Sequence, residues 1–157
     1  MALGSAITLI LYAVLGVFLI IELGLTSYVV SKTNIGGWWW STTPSSIAFL
    51  LFCTIWSILI LIYLVIAHIV EQLFHSLVAL VLLVITTIFW FAGSIAVAAY
   101  IGVPHCSGDW CTPIQTAQAA VAFGFFIWII FTVLTVFTGM SAFRGGARKT
   151  TGPPMPA

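Results

Sequence analysis

Four long apolar stretches, separated by short polar segments, dominate the pattern of this chain. They run from about 6 to 30, 46 to 67, 77 to 101 and 113 to 137. A helix needs about 20 apolar residues to cross a hydrocarbon core roughly 30 Å thick, and each stretch meets that length. The stretches are continuously apolar and lack the period-2 alternation of outer-membrane strands. The pattern therefore predicts an all-α polytopic membrane protein, an antiparallel bundle of four transmembrane helices.

Composition agrees with this prediction and excludes other classes of protein. Of the 157 residues, 62% are hydrophobic and 4% are charged, whereas soluble domains carry about 25% charged residues. Only four side chains are Lys or Arg, so no nucleic-acid-binding surface is expected. The length allows one bundle, which we place at residues 1–143, followed by a short basic, Pro/Gly-rich tail at 144–157.

The basic residues predict the orientation of the chain in the membrane. Arg144, Arg148 and Lys149 lie in the tail, and cytosolic segments of membrane proteins carry an excess of Lys and Arg. The C-terminus is therefore expected in the cytosol, and four crossings return the N-terminus to the same side. Lys32 is the single exception. The expected location is the plasma membrane or an endomembrane.

Glu22 is the one acidic residue inside a predicted span. A charged side chain there costs at least about 2.5 kcal/mol, so it invites a functional hypothesis. One interpretation is a proton or cation relay in a channel or transporter. The other is a carboxyl group hydrogen-bonded within the bundle. We favour the second, because the spans offer no further acid or base to receive a proton.

The connection between the second and third stretches carries His68, Glu71, Gln72 and His75. These residues share one helical face, and that spacing can bind a metal ion. A metal site also needs converging ligands and supporting contacts, which a turn at the membrane surface seldom supplies. We therefore expect a polar turn, with no metal and no cofactor.

Three consecutive tryptophans, Trp38, Trp39 and Trp40, lie in the connection between the first and second stretches. Indole rings favour the boundary between hydrocarbon and water, because they combine an apolar body with one N–H donor. The pattern predicts an interfacial lipid anchor that fixes the depth of the first two helices. Specific recognition of a lipid headgroup is the alternative.

Small residues recur at every fourth position of the third and fourth stretches. In a membrane, helices associate through close packing and not through burial from water, so small residues favour contact. The short connection makes these two helices antiparallel neighbours, with Ser94 level with Gly124. The same residues could instead form a homo-oligomer face. The two ladders comprise Ser94, Ala98 and Gly102 on one helix, and Thr116, Ala120 and Gly124 on the other.

Cys106 and Cys111 lie between the two ladders, on the predicted non-cytosolic side. A disulfide is expected in that oxidising compartment, and closing so short a loop contributes roughly 2 kcal/mol. Such a bond would clamp the third and fourth helices. A thiol oxidoreductase is the alternative, but that chemistry commonly uses a C-x-x-C pair and a second electron acceptor. Cys53 is alone within the second stretch and is expected to be a buried thiol.

Three local patterns resemble MARVEL-domain proteins of the fungal branch. They are LGLTSYVV at 23–30, IFWFAGSIAVA at 88–98, and AQAAVAFGFFIW at 117–128, which follows the two cysteines closely. The likeness covers about 6–137. It implies a non-enzymatic, four-span protein linked to vesicle traffic and, in fungi, to plasma-membrane compartments rich in sterol or responsive to sphingolipid.

We therefore expect a membrane-organising scaffold that contacts lipids and associates laterally with itself or with other membrane proteins. The resemblance implies no catalytic residue and no cofactor. Two competing hypotheses remain. One is a channel or transporter subunit that uses Glu22, and the other is a thiol oxidoreductase that uses Cys106 and Cys111.

Overall fold

Four α-helices make up the described part of the chain. The computed structural model describes residues 2–33, 44–70, 76–102 and 111–149, with side chains described for 6–33, 44–70, 77–102 and 111–143. All four helices are long and apolar enough to cross a membrane. The chain is an integral multi-pass membrane protein with an all-α fold, which confirms the prediction. The helices are α1 (Ala2–Thr33), α2 (Ser45–Ile69), α3 (Ser76–Ile101) and α4 (Thr112–Lys149).

Proline and glycine mark three of the helix boundaries. Pro44 precedes α2 with extended torsion angles, and its carbonyl accepts a hydrogen bond of 3.0 Å from the N–H of Ile47. Pro113 lies in the first turn of α4, where the missing N–H costs no helical hydrogen bond. Gly102 ends α3 with a φ of +62°, and its N–H donates to the carbonyl of Ala98. Glycine adopts that left-handed conformation without steric cost.

The fourth helix is longer than its apolar stretch predicts. Its membrane-crossing part reaches Phe143, and the helical backbone continues to Lys149. Loss of hydropathy marked the predicted end at about 137, but a helix requires only backbone hydrogen bonds and not an apolar surface. The first residues of the basic tail therefore continue α4. The division between a bundle at 1–143 and a tail at 144–157 stays a prediction.

The helices form a ring in which each packs against two neighbours. Helix α1 packs against α2 and α4, and α3 also packs against α2 and α4, so α1 and α3 lie on one diagonal. Neighbours are antiparallel, as the α1–α2 pair illustrates: the Tyr12 ring meets His68, while Gly16 lies against Leu61. We call the end where α1 and α3 finish and α2 and α4 begin the distal end.

The interior of the ring is built from residues spaced three or four positions apart. In α2 the fully or largely buried residues follow this spacing from Ile47 to Ala67. The large side chains Trp90 and Phe131 fill the centre from α3 and α4. This is the seam periodicity of helix bundles, in which side chains of one helix insert between those of the next.

Three buried threonines find hydrogen-bond partners within their own helices. The hydroxyl groups of Thr26, Thr54 and Thr86 each donate to the carbonyl four residues earlier, over 2.7 to 2.9 Å. Hydrocarbon offers no hydrogen-bond partner, so this local bond lets a hydroxyl group remain buried. The buried polar residues in the described part are Glu22, Thr26, Thr54, Ser57, Thr86 and Ser94.

Helix α3 makes side-chain hydrogen bonds to both of its neighbours. Because hydrocarbon competes for none of them, such bonds fix the relative rotation of two helices. The bond from Trp90 to Ser57 is the shortest of the three, and both of its residues are fully buried. The three bonds are Trp90 Nε1 to Ser57 Oγ at 2.7 Å, Trp56 Nε1 to Thr86 Oγ1 at 3.2 Å, and Thr87 with Thr135 at 3.2 Å.

Removal of the buried indole donor should weaken the bundle. We expect Trp90→Phe and Ser57→Ala each to lower the free energy of unfolding in mixed micelles. A double-mutant cycle of these two changes should give a coupling energy of about 0.6 kcal/mol, the average for interhelical hydrogen bonds in a membrane. Trp128→Phe combined with Ser57→Ala is the control and should be additive. If Trp90→Phe and Ser57→Ala are also additive, their hydrogen bond contributes nothing to the free energy of unfolding.

Candidate functional site

Helices α3 and α4 approach closely at Ser94 and Gly124. A Cβ atom added to Gly124 would lie 2.5 Å from Ser94 Oγ and 3.5 Å from Trp90 Cζ3. No side chain fits at 124 without displacing its neighbours. Ala120, one turn away on α4, is also buried. Small residues thus allow the two helices to approach at this level.

The distal part of the two ladders does not pack in the same way. Gly102 is exposed, and a Cβ atom added there would meet nothing within 4 Å. It does not take the packing role expected of it, because it ends α3 in a left-handed conformation. Spacing alone does not distinguish a glycine that permits contact from one that ends a helix. Ala98 and Thr116 are half-buried, and Thr116 Oγ1 donates to the carbonyl of Thr112.

Glu22 points into the bundle and not toward lipid. Its exposed fraction is 0%, and neither carboxyl oxygen has a hydrogen-bond partner among the described residues. Because Tyr12 meets His68 and Gly16 lies against Leu61 in the antiparallel α1–α2 pair, Glu22 lies at about the level of Ser57. The expected hydrogen bond of this carboxyl group within the bundle is not formed by any described residue.

Glu22 is one of three buried polar side chains, on α1, α2 and α3, that differ in their hydrogen bonding. Ser94 Oγ on α3, like the Glu22 carboxyl on α1, has no hydrogen-bond partner among the described residues, whereas Ser57 accepts from Trp90. A buried polar group without a partner loses solvation that nothing replaces. These groups can bind a proton or accept a hydrogen bond, but the described residues hold no group of three or more His, Cys, Asp or Glu suited to a metal.

The connection after α2 is described only in part. His68 lies in the last turn of α2, with its ring 6.2 Å from that of Tyr12 in an edge-on arrangement. Glu71, Gln72 and His75 lie outside the described residues. The polar turn expected there stays a prediction.

Two of the three cysteines lie in the described residues. Cys111 is buried and is not a free thiol. Its expected partner, Cys106, lies outside the described residues, so the pairing of these two cysteines stays a prediction. Cys53 is a free, buried thiol whose Sγ lies 3.9 Å from the carbonyl oxygen of Phe89. The interfacial anchor at Trp38, Trp39 and Trp40 also lies outside the described residues.

A cavity of about 310 Å³ opens between the four helix ends at the distal end. Each helix contributes to its wall, and the described lining residues are apolar apart from the hydroxyl groups of Thr33 and Tyr100. No sequence pattern indicated this cavity, because it forms only where the ends of four separate helices converge. The deeper part of its wall includes Val29, Ile47, Ile101, Ile114 and Ala117.

Comparison with known protein families gives a match that covers almost the whole bundle. The family model of MARVEL, described as a membrane-associating domain, matches residues 5–137. That range includes almost all of the four membrane-crossing helices. The chain belongs to the MARVEL family. No match was found among curated proteins or among solved structures.

Three local sequence patterns predicted a MARVEL domain, and the match confirms that prediction at the level of the family. Assignment to the fungal branch stays a prediction. Two features of the domain were not expected from sequence. They are the hydrogen bond between Trp90 and Ser57 and the distal cavity. An indole inside an apolar stretch signals a buried partner, but the sequence does not show which helix supplies it.

The close approach at Gly124 should make this position intolerant of a side chain. We expect Gly124→Ala to lower the free energy of unfolding by about 1 kcal/mol, because an overpacked contact strains its neighbours. In a Ser94→Gly background the same change should cost much less, since the Oγ atom is gone. Thermal unfolding in detergent provides the measurement.

Gly24→Ala is the matched control, because a Cβ atom there would meet nothing within 4 Å. Alanine also favours a helix over glycine, so this variant should be no less stable than the native chain. Equal stability of Gly124→Ala and Gly24→Ala would contradict the tight pairing of α3 and α4.

Proposed function

We propose that this MARVEL protein is a non-enzymatic, membrane-organising protein. It acts through contact with lipids and through lateral association, in membrane compartments or in vesicle traffic. The match to a membrane-associating domain across residues 5–137 is the observation that carries the proposal. The distribution of polar and apolar side chains around the bundle supports it.

The outer surface of the described helices is suited to contact with lipid and with other membrane helices. Large apolar side chains on every helix face outward, among them Ile20, Leu59, Ile88 and Phe126. The buried polar side chains face the opposite way, into the ring. A bundle with this arrangement offers few hydrogen-bonding groups to lipids and to other membrane helices. Its lateral contacts therefore depend on van der Waals packing and on complementary shape.

Aromatic side chains shape the outer surface of the bundle between α2 and α3. Phe49, Phe52, Trp56 and Phe89 form a continuous cluster along the groove between α2 and α3, with neighbouring ring centres 5.9 to 6.4 Å apart. Phe52 is about half exposed. Rigid rings contribute large contact areas at low cost in conformational entropy, which favours them at contact surfaces. We assign lateral association to this cluster.

The finer parts of the proposal follow from the sequence. The basic tail places both termini in the cytosol, and the location is the plasma membrane or an endomembrane. Trp38, Trp39 and Trp40 anchor the first connection at the interface. A Cys106–Cys111 disulfide clamps α3 to α4 on the non-cytosolic side. The resemblance to the fungal branch favours lipids of sterol-rich or sphingolipid-responsive compartments.

Lateral association predicts energy transfer between copies of the chain. Chains carrying a donor or an acceptor fluorophore at the C-terminus would be reconstituted together in phosphatidylcholine vesicles at several protein-to-lipid ratios. We expect transfer above the level of a random distribution, and unlabelled chain should reduce it by competition. Transfer equal to the random level at every ratio would contradict self-association.

Two variants locate the contact. Phe52→Ala removes a ring from the cluster and should lower the transfer several-fold. Leu59→Ala removes a similarly exposed side chain from α2 outside the cluster, and it should leave transfer near the native level. Equal effects of the two changes would reject the cluster as the contact surface.

Glu22 supports a second hypothesis, a channel or transporter subunit, because it is fully buried and without a partner among the described residues. Under our proposal, vesicles that contain the chain should pass protons and K⁺ no faster than protein-free vesicles. Fluorescent indicators trapped inside the vesicles measure both fluxes. A flux in the native chain that disappears in Glu22→Gln would replace our proposal with transport.

The thiol oxidoreductase hypothesis receives less support. Cys111 is buried, and Cys53 is buried within α2, away from a thiol partner among the described residues. Exchange chemistry requires an accessible thiolate and a route for electrons to an acceptor. A disulfide at Cys106 and Cys111 serves a structural purpose under our proposal.

A further inference from the structure

The distal cavity has no role in the function proposed above. We propose that it binds a segment of an acyl chain from a phospholipid in the leaflet that surrounds the distal end. This inference rests on the proposed function and deepens it, since it names one class of lipid and one site of contact.

The wall of the cavity selects for hydrocarbon. Val29, Ile47, Ile101, Ile114 and Ala117 supply apolar surface from all four helices, and no charged side chain lines the cavity among the described residues. A charged headgroup placed there would lose its solvation without gaining a counter-ion, at high cost in free energy. A hydrocarbon segment has no such cost.

The size of the cavity favours a flexible chain over a rigid ring system. Its volume of about 310 Å³ lies at the lower limit of small-molecule sites, which range over about 300–1,000 Å³. From Thr33 to Val29 the wall spans one helical turn, roughly 6 Å. An acyl chain can insert only the few methylene groups that fit. The fused rings of a sterol must enter together or remain outside, so we assign the cavity to an acyl chain.

The rim carries a hydrogen-bond donor suited to an ester. Thr33 Oγ1 already donates to the carbonyl of Val29 at 2.9 Å, so the phenol of Tyr100 is the side-chain donor that remains among the described lining residues. The Tyr100 side chain is 64% exposed and lies next to the end of α3, where aromatic rings with a polar tip favour the membrane boundary. The ester carbonyl of a phospholipid lies at the same boundary, directly above its chain.

Packing, and not transfer from water, is what would stabilise the bound chain. An acyl chain leaves one hydrocarbon environment for another, so it gains nothing from the hydrophobic effect. The favourable free energy of binding comes from van der Waals contacts between the acyl chain and the atoms of the cavity wall. Binding should therefore be sensitive to the shape of the cavity and should stabilise the bundle.

Photolabelling in vesicles tests the site. The full chain would be reconstituted with a trace of phosphatidylcholine that carries a diazirine in the upper half of one acyl chain, and adducts would be mapped by mass spectrometry. Ile47 and Ala117 are only 5% and 4% exposed, so bulk lipid does not reach them. We expect adducts at Ile47, together with the adducts that bulk lipid gives at exposed Phe126.

A variant that fills the cavity should abolish the inner adduct. Ala117→Leu is expected to reduce labelling at Ile47 at least tenfold and to leave Phe126 unchanged. Ala122→Leu, an exposed alanine of the same helix, should alter neither. Tyr100→Phe should lower labelling at Ile47 by a few-fold. If Ala117→Leu fails to fold, Ile114→Phe must give the same loss.

Three results would overturn the inference. They are absence of an adduct at Ile47, an adduct that persists in the cavity-filling variant, and labelling of Ile47 by a photoactivatable sterol but not by the phospholipid probe. Energy transfer in the same vesicles separates this inference from the proposed function. Native transfer with no adduct at Ile47 rejects the acyl-chain site alone, and an adduct without transfer rejects lateral association alone.

Discussion

Hydrocarbon forms no hydrogen bonds, and this constraint governs the whole bundle. Every backbone N–H and carbonyl must find its partner within the protein, so the apolar stretches become helices. Side-chain hydroxyl groups meet the same requirement by donating one turn back along their own helix, as Thr26 and Thr54 do. The Trp90 indole cannot reach its own backbone in this way and donates instead to Ser57, which ties α3 to α2.

Glu22 and Ser94 depart from this rule, since neither side chain has a partner among the described residues. They lie on α1 and α3, the two helices of one diagonal, and both are fully buried. A group of this kind weakens a fold unless something else compensates. Tight packing at Gly124 supplies part of that compensation, because Ser94 lies against the backbone of α4 where a larger residue would exclude it.

The function proposed for this protein depends on its outer surface. Apolar side chains cover the outside of the ring, and aromatic clusters shape the grooves between helices. The distal cavity extends the same surface into the end of the bundle. Under our proposals, lipid and neighbouring helices contact the protein at both places through packing. Such contacts depend on complementary shape, because hydrophobic transfer contributes little inside a membrane.

The sequence by itself determined the four spans and their antiparallel order, because hydropathy and small-residue spacing report directly on the membrane and on helix contact. The family was indicated by the resemblance of three local patterns. The sequence also indicated the approach of Ser94 to Gly124. The sequence predicted that Gly102 packs between α3 and α4, but this glycine ends α3. Glycine is favoured both at close helix contacts and at helix ends, so its spacing alone does not separate the two roles. The lack of a partner for Glu22 among the described residues, the choice of Ser57 as the partner of Trp90 and the distal cavity arose only in the tertiary structure. Each depends on how four helices are rotated about their axes, and a nearly uniform apolar sequence does not encode that rotation locally.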